Sequence, residues 1–317
     1  MSVALFAVPV WAQGYASYPA AQRLVDELVA EENFSRTELE VLLGKAQRQD
    51  SILEAISRPA EKTKPWHEYR DIFVTSARTS QGVTFYNNHS DSLRRAEQEY
   101  GVPAELIVAI IGVETRYGRN MGNYRVLDAL ATLAFDYPRR SAFFSKELKE
   151  FLLLSREQGL PATEFKGSYA GAMGYGQFIS SSYRNYAVDF DGDGVADIWK
   201  NPVDAIGSVA NYFFRHDWRS GETVASPAQA ETGYRQELTN AGLKPVLTVA
   251  DFIAAKIIPA RVLPTDAMAT AMEFEGKSGT ELWLGLHNFY VITRYNHSAM
   301  YAMSVYQLSQ EILARLP

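Results

Sequence analysis

Apolar residues recur three and four positions apart between residues 20 and 32, and again at Leu39, Leu42 and Leu43, the spacing of one face of an amphipathic helix. Ser35 followed by Glu38 makes a capping box ahead of the second run, so the first ninety residues are expected to be helical. A short charged helix over residues 92–100 is closed by Gly101, and Pro103 stands where the first turn of a new helix tolerates a missing N–H. That helix is predicted to run to about Tyr117 and to stop at Gly118. The helical period returns at 126–135, at 141–157 before Gly159, and at 203–215 after Pro202. Between about 220 and 296 the texture changes. A short helix near 249–257 accompanies two strand-like runs, Ala269 to Glu275 and Glu281 to Leu286, joined by Gly276-Lys-Ser-Gly279. A last helix is predicted from Ser298 to Arg315, and no internal repeat is present. The pattern predicts a mainly α chain of α+β class with a small β-containing insertion.

Composition narrows the function classes. The chain has 31 Lys and Arg against 37 Asp and Glu, a formal charge of −6, and no basic run, which argues against nucleic acid and anionic membrane surfaces as partners. Cysteine is absent, so disulfides, thiolate zinc sites, cysteine nucleophiles and a thioether-linked lipid anchor on these residues are all excluded. The longest interior apolar run, Leu106 to Val113, is far short of the roughly 20 residues a membrane span requires. Val3 to Trp11 is an apolar stretch ending in Val10-Trp11-Ala12, with small residues at the positions a signal peptidase reads, though no Lys or Arg precedes it. It is expected to be the remnant of a secretory signal, which with the missing cysteines fits a soluble periplasmic protein.

Common catalytic motifs are missing. The five histidines have no HExxH spacing, and no GxSxG elbow occurs. Ala271 to Ser278 ends like a phosphate loop but lacks its first glycine and is expected to be a hairpin turn, and Gly171, Gly174 and Gly176 do not fit GxGxxG because Ile179 holds the last position.

Two segments carry chemistry. Counting back from Glu114 places Ile110, Ile107 and Leu106 on its own helix face, so the carboxyl lies beside hydrocarbon. Desolvation disfavours the ionised form, the tuning a general acid needs near neutral pH. Gly112, two residues earlier, leaves room for something to approach. A buried Glu paired with Arg116, or with Arg139 and Arg140, accounts for the segment equally well. The second segment, Gly167-Ser-Tyr-Ala-Gly-Ala-Met-Gly-Tyr-Gly-Gln-Phe178, interleaves four glycines with amide, hydroxyl and ring surfaces, a mixture suited to a sugar.

Glu114-Thr-Arg-Tyr-Gly118 followed by Gly171-Ala-Met-Gly-Tyr-Gly-Gln-Phe178, with Phe135-Asp-Tyr-Pro-Arg-Arg140 and Asn288-Phe-Tyr-Val-Ile-Thr-Arg-Tyr-Asn296, resembles the lytic transglycosylase B family over about residues 65–310. The resemblance implies a lysozyme-like catalytic core at 96–219, a helical domain at 15–95 joined by the terminal helix at 297–317, and a small α+β domain at 220–296, with 1–14 as signal remnant or disordered segment. It implies cleavage of the MurNAc to GlcNAc β-1,4 bond of peptidoglycan with formation of a 1,6-anhydromuramic acid end, and no cofactor in the chemistry. Glu114 would be the single acid and base, and Tyr69, Arg139, Arg140, Ser168, Gln177, Phe178, Tyr212, Tyr295, Asn296 and Tyr301 would bind glycan. Partners would be peptidoglycan strands and other cell-wall enzymes. The sequence leaves a second carboxylate open, as a hydrolase with two carboxyl groups roughly 5 to 9.5 Å apart would have.

Asp189-Phe-Asp191-Gly-Asp193-Gly194-Val195-Ala-Asp197 places oxygen donors and a glycine at the spacing of a calcium loop. Position 12 is Lys200, so the ordinary loop fails at its last ligand. The resemblance implies a longer loop in which Asp204 closes the set and Val195 offers its carbonyl, with Asp197 acting through water or not at all. The ion is expected to be structural. A water-using muramidase, a silent glycan-binding scaffold and a calcium sensor are the competing functions; the sensor has one loop here and no Met-rich groove.

Overall fold

The computed structural model describes residues 14–57 and 64–316; except for Gly14, the expected signal remnant lies outside them. The helices in chain order are α1 (Pro19–Glu32), α2 (Arg36–Gly44), α3 (Asp50–Ile56), α4 (Trp66–Phe73), α5 (Ser76–Asn88), α6 (Ser90–Tyr100), α7 (Ala104–Thr115), α8 (Val126–Asp136), α9 (Ser141–Glu157), α10 (Ser180–Tyr186), α11 (Pro202–Arg215), α12 (Val249–Ala254), α13 (His287–Tyr295) and α14 (Ala299–Leu313). The strands are β1 (Tyr124–Arg125), β2 (Lys166–Gly167), β3 (Ala225–Ala230), β4 (Leu247–Thr248), β5 (Ile257–Pro259), β6 (Met268–Gly276) and β7 (Gly279–Gly285). The chain is mainly α with a small sheet, as the periodicity predicts. No described helix is long and apolar enough to cross a membrane.

One compact unit gathers, of the described residues, 14–57, 121–173 and 177–185. Its core is α8 against α9, with Leu127, Leu130, Phe144, Leu148 and Phe151 buried. Asp128, also buried, takes the Arg125 guanidinium at 2.6 and 2.8 Å and the Gln47 N–H at 2.9 Å, fixing the start of α8. Antiparallel β1 and β2 pair Tyr124 with Gly167 and so place the head of the glycine-rich segment. Ser35 accepts from Glu38 N–H, which caps α2 as the sequence predicts.

The other unit comprises, of the described residues, 64–120, 174–176 and 186–316. At its centre α7 packs on α14, α5, α6 and α11. Leu106, Ile107, Val108, Ile110, Ile111 and Val113 are all buried, each contributing roughly 1.5–3 kcal/mol, so the helix is a rigid base for whatever its end presents. Its end departs from the prediction. Arg116 and Tyr117 already turn left-handed, with φ of 51° and 61°, ahead of Gly118. Thr115 explains the early stop, because its hydroxyl donates to the Ile111 and Tyr175 carbonyls and accepts from Gly118 N–H. The sheet order is β4-β6-β7-β3-β5, antiparallel throughout. Gly276 pairs with Gly279 in the β6–β7 hairpin, so the near phosphate loop is a turn.

Candidate active site

Glu114 sits half-buried in the last turn of α7, followed at once by fully buried Thr115. Tyr301, near the start of α14, donates its hydroxyl to Glu114 Oε1 at 2.5 Å. Ser298 sets that tyrosine's height by capping α14 through Tyr301 N–H at 3.2 Å. Burial drives the Tyr301 and Tyr295 phenols well above their ordinary range, and the Glu114 charge adds to the effect in both, so both stay protonated donors. The Tyr301 hydroxyl thus fixes Glu114 Oε1 at the end of α7. Arg116 donates to Gln81 Oε1 at 2.9 Å, and Arg140 lies over the Phe143 and Phe144 rings.

The surrounding tyrosines form one aromatic group. Tyr295, at the end of α13, donates to the Gly176 carbonyl at 2.6 Å and stacks on Phe213 at 5.6 Å. Tyr212 meets the Tyr295 ring edge-on at 4.7 Å and donates to the Arg294 carbonyl at 2.7 Å. Tyr69 is buried beside Phe73, and its phenol acts on that of Tyr301. Asn296 leaves α13 in extended backbone and accepts from Ser298 N–H at 2.7 Å. Thus Glu114, Tyr69, Tyr212, Tyr295, Asn296 and Tyr301 belong to one unit.

Ser168, Gln177, Phe178, Arg139 and Arg140 belong to the other unit. Ser168 Oγ accepts from Ala170 and Ala172 N–H, at 3.3 and 3.1 Å, which curls the glycine segment. Gly171 has φ of +80° and leaves no room for a Cβ, which would lie 2.6 Å from Leu130 Cδ2. Gln177 is left-handed, φ 51°, and donates to the Met121 carbonyl at 3.3 Å. Phe178 is buried, whereas Arg139 and Arg140 are exposed on a turn before α9.

In the acidic loop, oxygens of Asp189, Asp191 and Asp204 lie within 4.8 Å of one another. Asp189 accepts N–H groups from Gly192, Asp193 and Gly194, and these bonds, that from Gly194 foremost, hold its carboxyl below the usual range. Asp204 is fully buried in α11. Burial pushes its carboxyl up, although Phe190 and Asp197 N–H groups at 2.7 and 2.8 Å oppose this. Three converging carboxylates, one of them buried, suit a hard cation. Asp193 caps Val195 N–H at 2.9 Å and is not among the three, and Asp197 caps Trp199 and Lys200. Asn201, marked in the sequence only by its place just before Pro202, donates its amide to Asp191 Oδ2 at 2.7 Å. Arg78, with no sequence motif around it, donates to the Gly112 carbonyl at 3.1 Å.

The family model described as "Transglycosylase SLT domain" matches residues 16–310. The membrane-bound lytic murein transglycosylase B of Escherichia coli K12 is 47% identical over 312 residues, covering 95% of this chain and 85% of the relative. Among solved structures, the catenated lytic transglycosylase SltB1 of Pseudomonas aeruginosa is 53% identical with a TM-score of 0.91, covering 95% of this chain and 99% of that one. The Escherichia coli lytic transglycosylase SLT35 in complex with calcium is 46% identical with a TM-score of 0.87, covering 95% of each.

Proposed function

The chain belongs to the SLT-domain lytic transglycosylases, and from that premise we propose that Glu114 alone supplies the acid and base for cleaving the MurNAc to GlcNAc β-1,4 bond of peptidoglycan. Protonated Glu114 gives its proton to the glycosidic oxygen as the C1–O bond breaks. The N-acetyl carbonyl of the substrate shares the positive charge at C1, which removes the need for a carboxylate nucleophile. The C6 hydroxyl then closes on C1 and returns its proton to Glu114, leaving a 1,6-anhydromuramic acid end without consuming water. The observation that supports this reading is the short bond from Tyr301 to Glu114 Oε1, which orients the carboxyl at the end of a buried helix for proton transfer.

Glycan contacts fall to Tyr69, Tyr212, Tyr295, Asn296 and Tyr301 and, in the other unit, to Ser168, Gln177, Phe178, Arg139 and Arg140. The deep burial of Tyr69, Tyr212, Tyr301 and Phe178 favours hydroxyls and ring edges as their means of contact. The exposed guanidinium groups of Arg139 and Arg140 suit carboxylates of the stem peptide. Asp189, Asp191, Asp193, Asp204 and the Val195 carbonyl hold a structural calcium, a reading supported by the convergence of three of these carboxylates and by the calcium complex of a relative. When bound, the ion neutralises crowded charge and takes no part in the chemistry. The periplasm is the compartment, because the substrate lies there. Digestion of peptidoglycan in ¹⁸O-labelled water tests the reaction. Released ends lacking ¹⁸O and one water lighter than reducing ends are expected, whereas one ¹⁸O per cleavage would make the enzyme a hydrolase.

A further inference from the structure

The end of the helix that carries Glu114 is built around a wedge. The Tyr117 ring enters a slot between Gly82 of α5 and Gly112 of α7. A Cβ at Gly82 would stand 2.5 Å from Tyr117 Oη and 2.6 Å from Ile312 Cδ1, and a Cβ at Gly112 would stand 2.6 Å from the same oxygen. The sequence expectation that Gly112 makes room for an approach is met by this phenol. Two consecutive left-handed residues, Arg116 and Tyr117, turn the ring back toward the helix it has just left, a conformation L side chains disfavour.

Hydrogen bonds latch the wedge. Tyr117 Oη donates to the Arg78 carbonyl at 2.9 Å, Arg78 Nη1 donates to the Gly112 carbonyl at 3.1 Å, and Arg116 ties to Gln81. Phe85 packs on the Tyr117 ring at 5.7 Å. Arg78 is half-buried with no carboxylate partner among the described residues; its guanidinium has the Gly112 carbonyl and the Phe73 ring at 5.2 Å. Desolvating an unpaired guanidinium is costly, and a hydrocarbon side chain would fill that space without the cost. Such expense beside a strained backbone points to function. Helix ends ordinarily fray, yet Glu114 lies between the latched carbonyl of Gly112 and the wedged ring of Tyr117.

We propose that Tyr117 and Arg78 are positioning residues: the wedge between Gly82 and Gly112, latched through Arg78, fixes the last turn of α7 and so sets where the Glu114 carboxyl meets the glycosidic oxygen. The proposal rests on the reading of Glu114 as the acid. Displacing a reacting group by about 1 Å can cost on the order of a hundredfold in rate. The test is steady-state turnover of purified peptidoglycan oligomers by the full chain, with melting temperature recorded for every variant. Tyr117→Phe keeps the ring and removes the latch, and should lower kcat about tenfold with KM within about twofold. Arg78→Lys should do the same, and the double variant should be no slower than either single one, because both break one latch. Gly112→Ala should be slower still. Ile257→Val, a mild loosening of the sheet core, should lower melting temperature and leave kcat alone. If Tyr117→Phe keeps wild-type kcat while Glu114→Gln is dead, the wedge is packing only and the positioning role is overturned. A raised KM with unchanged kcat overturns it too. An active Glu114→Gln removes the reading beneath it.

Discussion

Asp204 offers the most quantitative test of the acidic loop. Its buried carboxylate accepts N–H groups from Phe190, Asp191 and Asp197, and its oxygens face those of Asp189 and Asp191. Asp204→Asn keeps the shape, removes the charge, and turns an NH₂ group toward a backbone N–H. One buried donor then loses its acceptor, at a cost of about 1–3 kcal/mol. The variant also loses the calcium linkage, worth about 2.7 kcal/mol when the free ion is at a hundred times its Kd. With an unfolding entropy of about 2.1 cal/mol/K per residue over 317 residues, that linkage corresponds to a melting shift of about 4 °C if the chain unfolds together. Differential scanning calorimetry with calcium or chelator should show that shift in the wild type. Asp204→Asn should melt lower in both conditions and respond to neither. A wild type indifferent to calcium would refute the linkage, and a variant that still gains 4 °C would put the ion elsewhere.

Other outcomes follow from the site. Tyr301→Phe deletes a hydrogen bond to a carboxyl, worth about 1.5–3 kcal/mol, so kcat should fall roughly tenfold or more with little change in melting temperature; an unchanged kcat would mean that the 2.5 Å contact is incidental. His216 stacks on Tyr212 at 4.0 Å, and burial lowers its pKa below the ordinary 6.5, with Arg294 and Arg215 adding to the effect against the Tyr212 carbonyl bond. A histidine whose folded pKa is depressed is protonated first in the unfolded chain, so its contribution is complete above about pH 6.5 and is lost as pH falls below that. Melting temperature should decline between pH 6.5 and 5, and less steeply in His216→Phe; equal slopes would rule out this group.

Much of the architecture is legible in local pattern. The periods at 126–135 and 141–157 became α8 and α9 almost to the residue, because long apolar stripes bounded by Gly or Pro leave few alternatives. The β6–β7 hairpin was equally plain. β3 was missed because Ala-Ser-Pro-Ala-Gln-Ala has no strong alternation and carries a proline, and its place depends on pairing with β7 and β5, which are remote in sequence. The predicted helix to residue 257 stops at Ala254, because Lys256 turns left-handed and the chain enters β5. Glu114 was visible as a lone acid on an oily face. Tyr301, its hydrogen-bond partner, lies 187 positions away and is one tyrosine among 18, so only family resemblance or the fold could single it out. Arg78 had neither advantage.

The central claim is that one carboxyl, Glu114, performs a water-free cleavage. Mass analysis of muropeptides released from purified peptidoglycan by the wild type and by Glu114→Gln, which keeps the shape and removes the proton donor, tests it most directly. Anhydro ends from the wild type and no release by the variant are predicted. Reducing ends from the wild type, or continued release by Glu114→Gln, would contradict it.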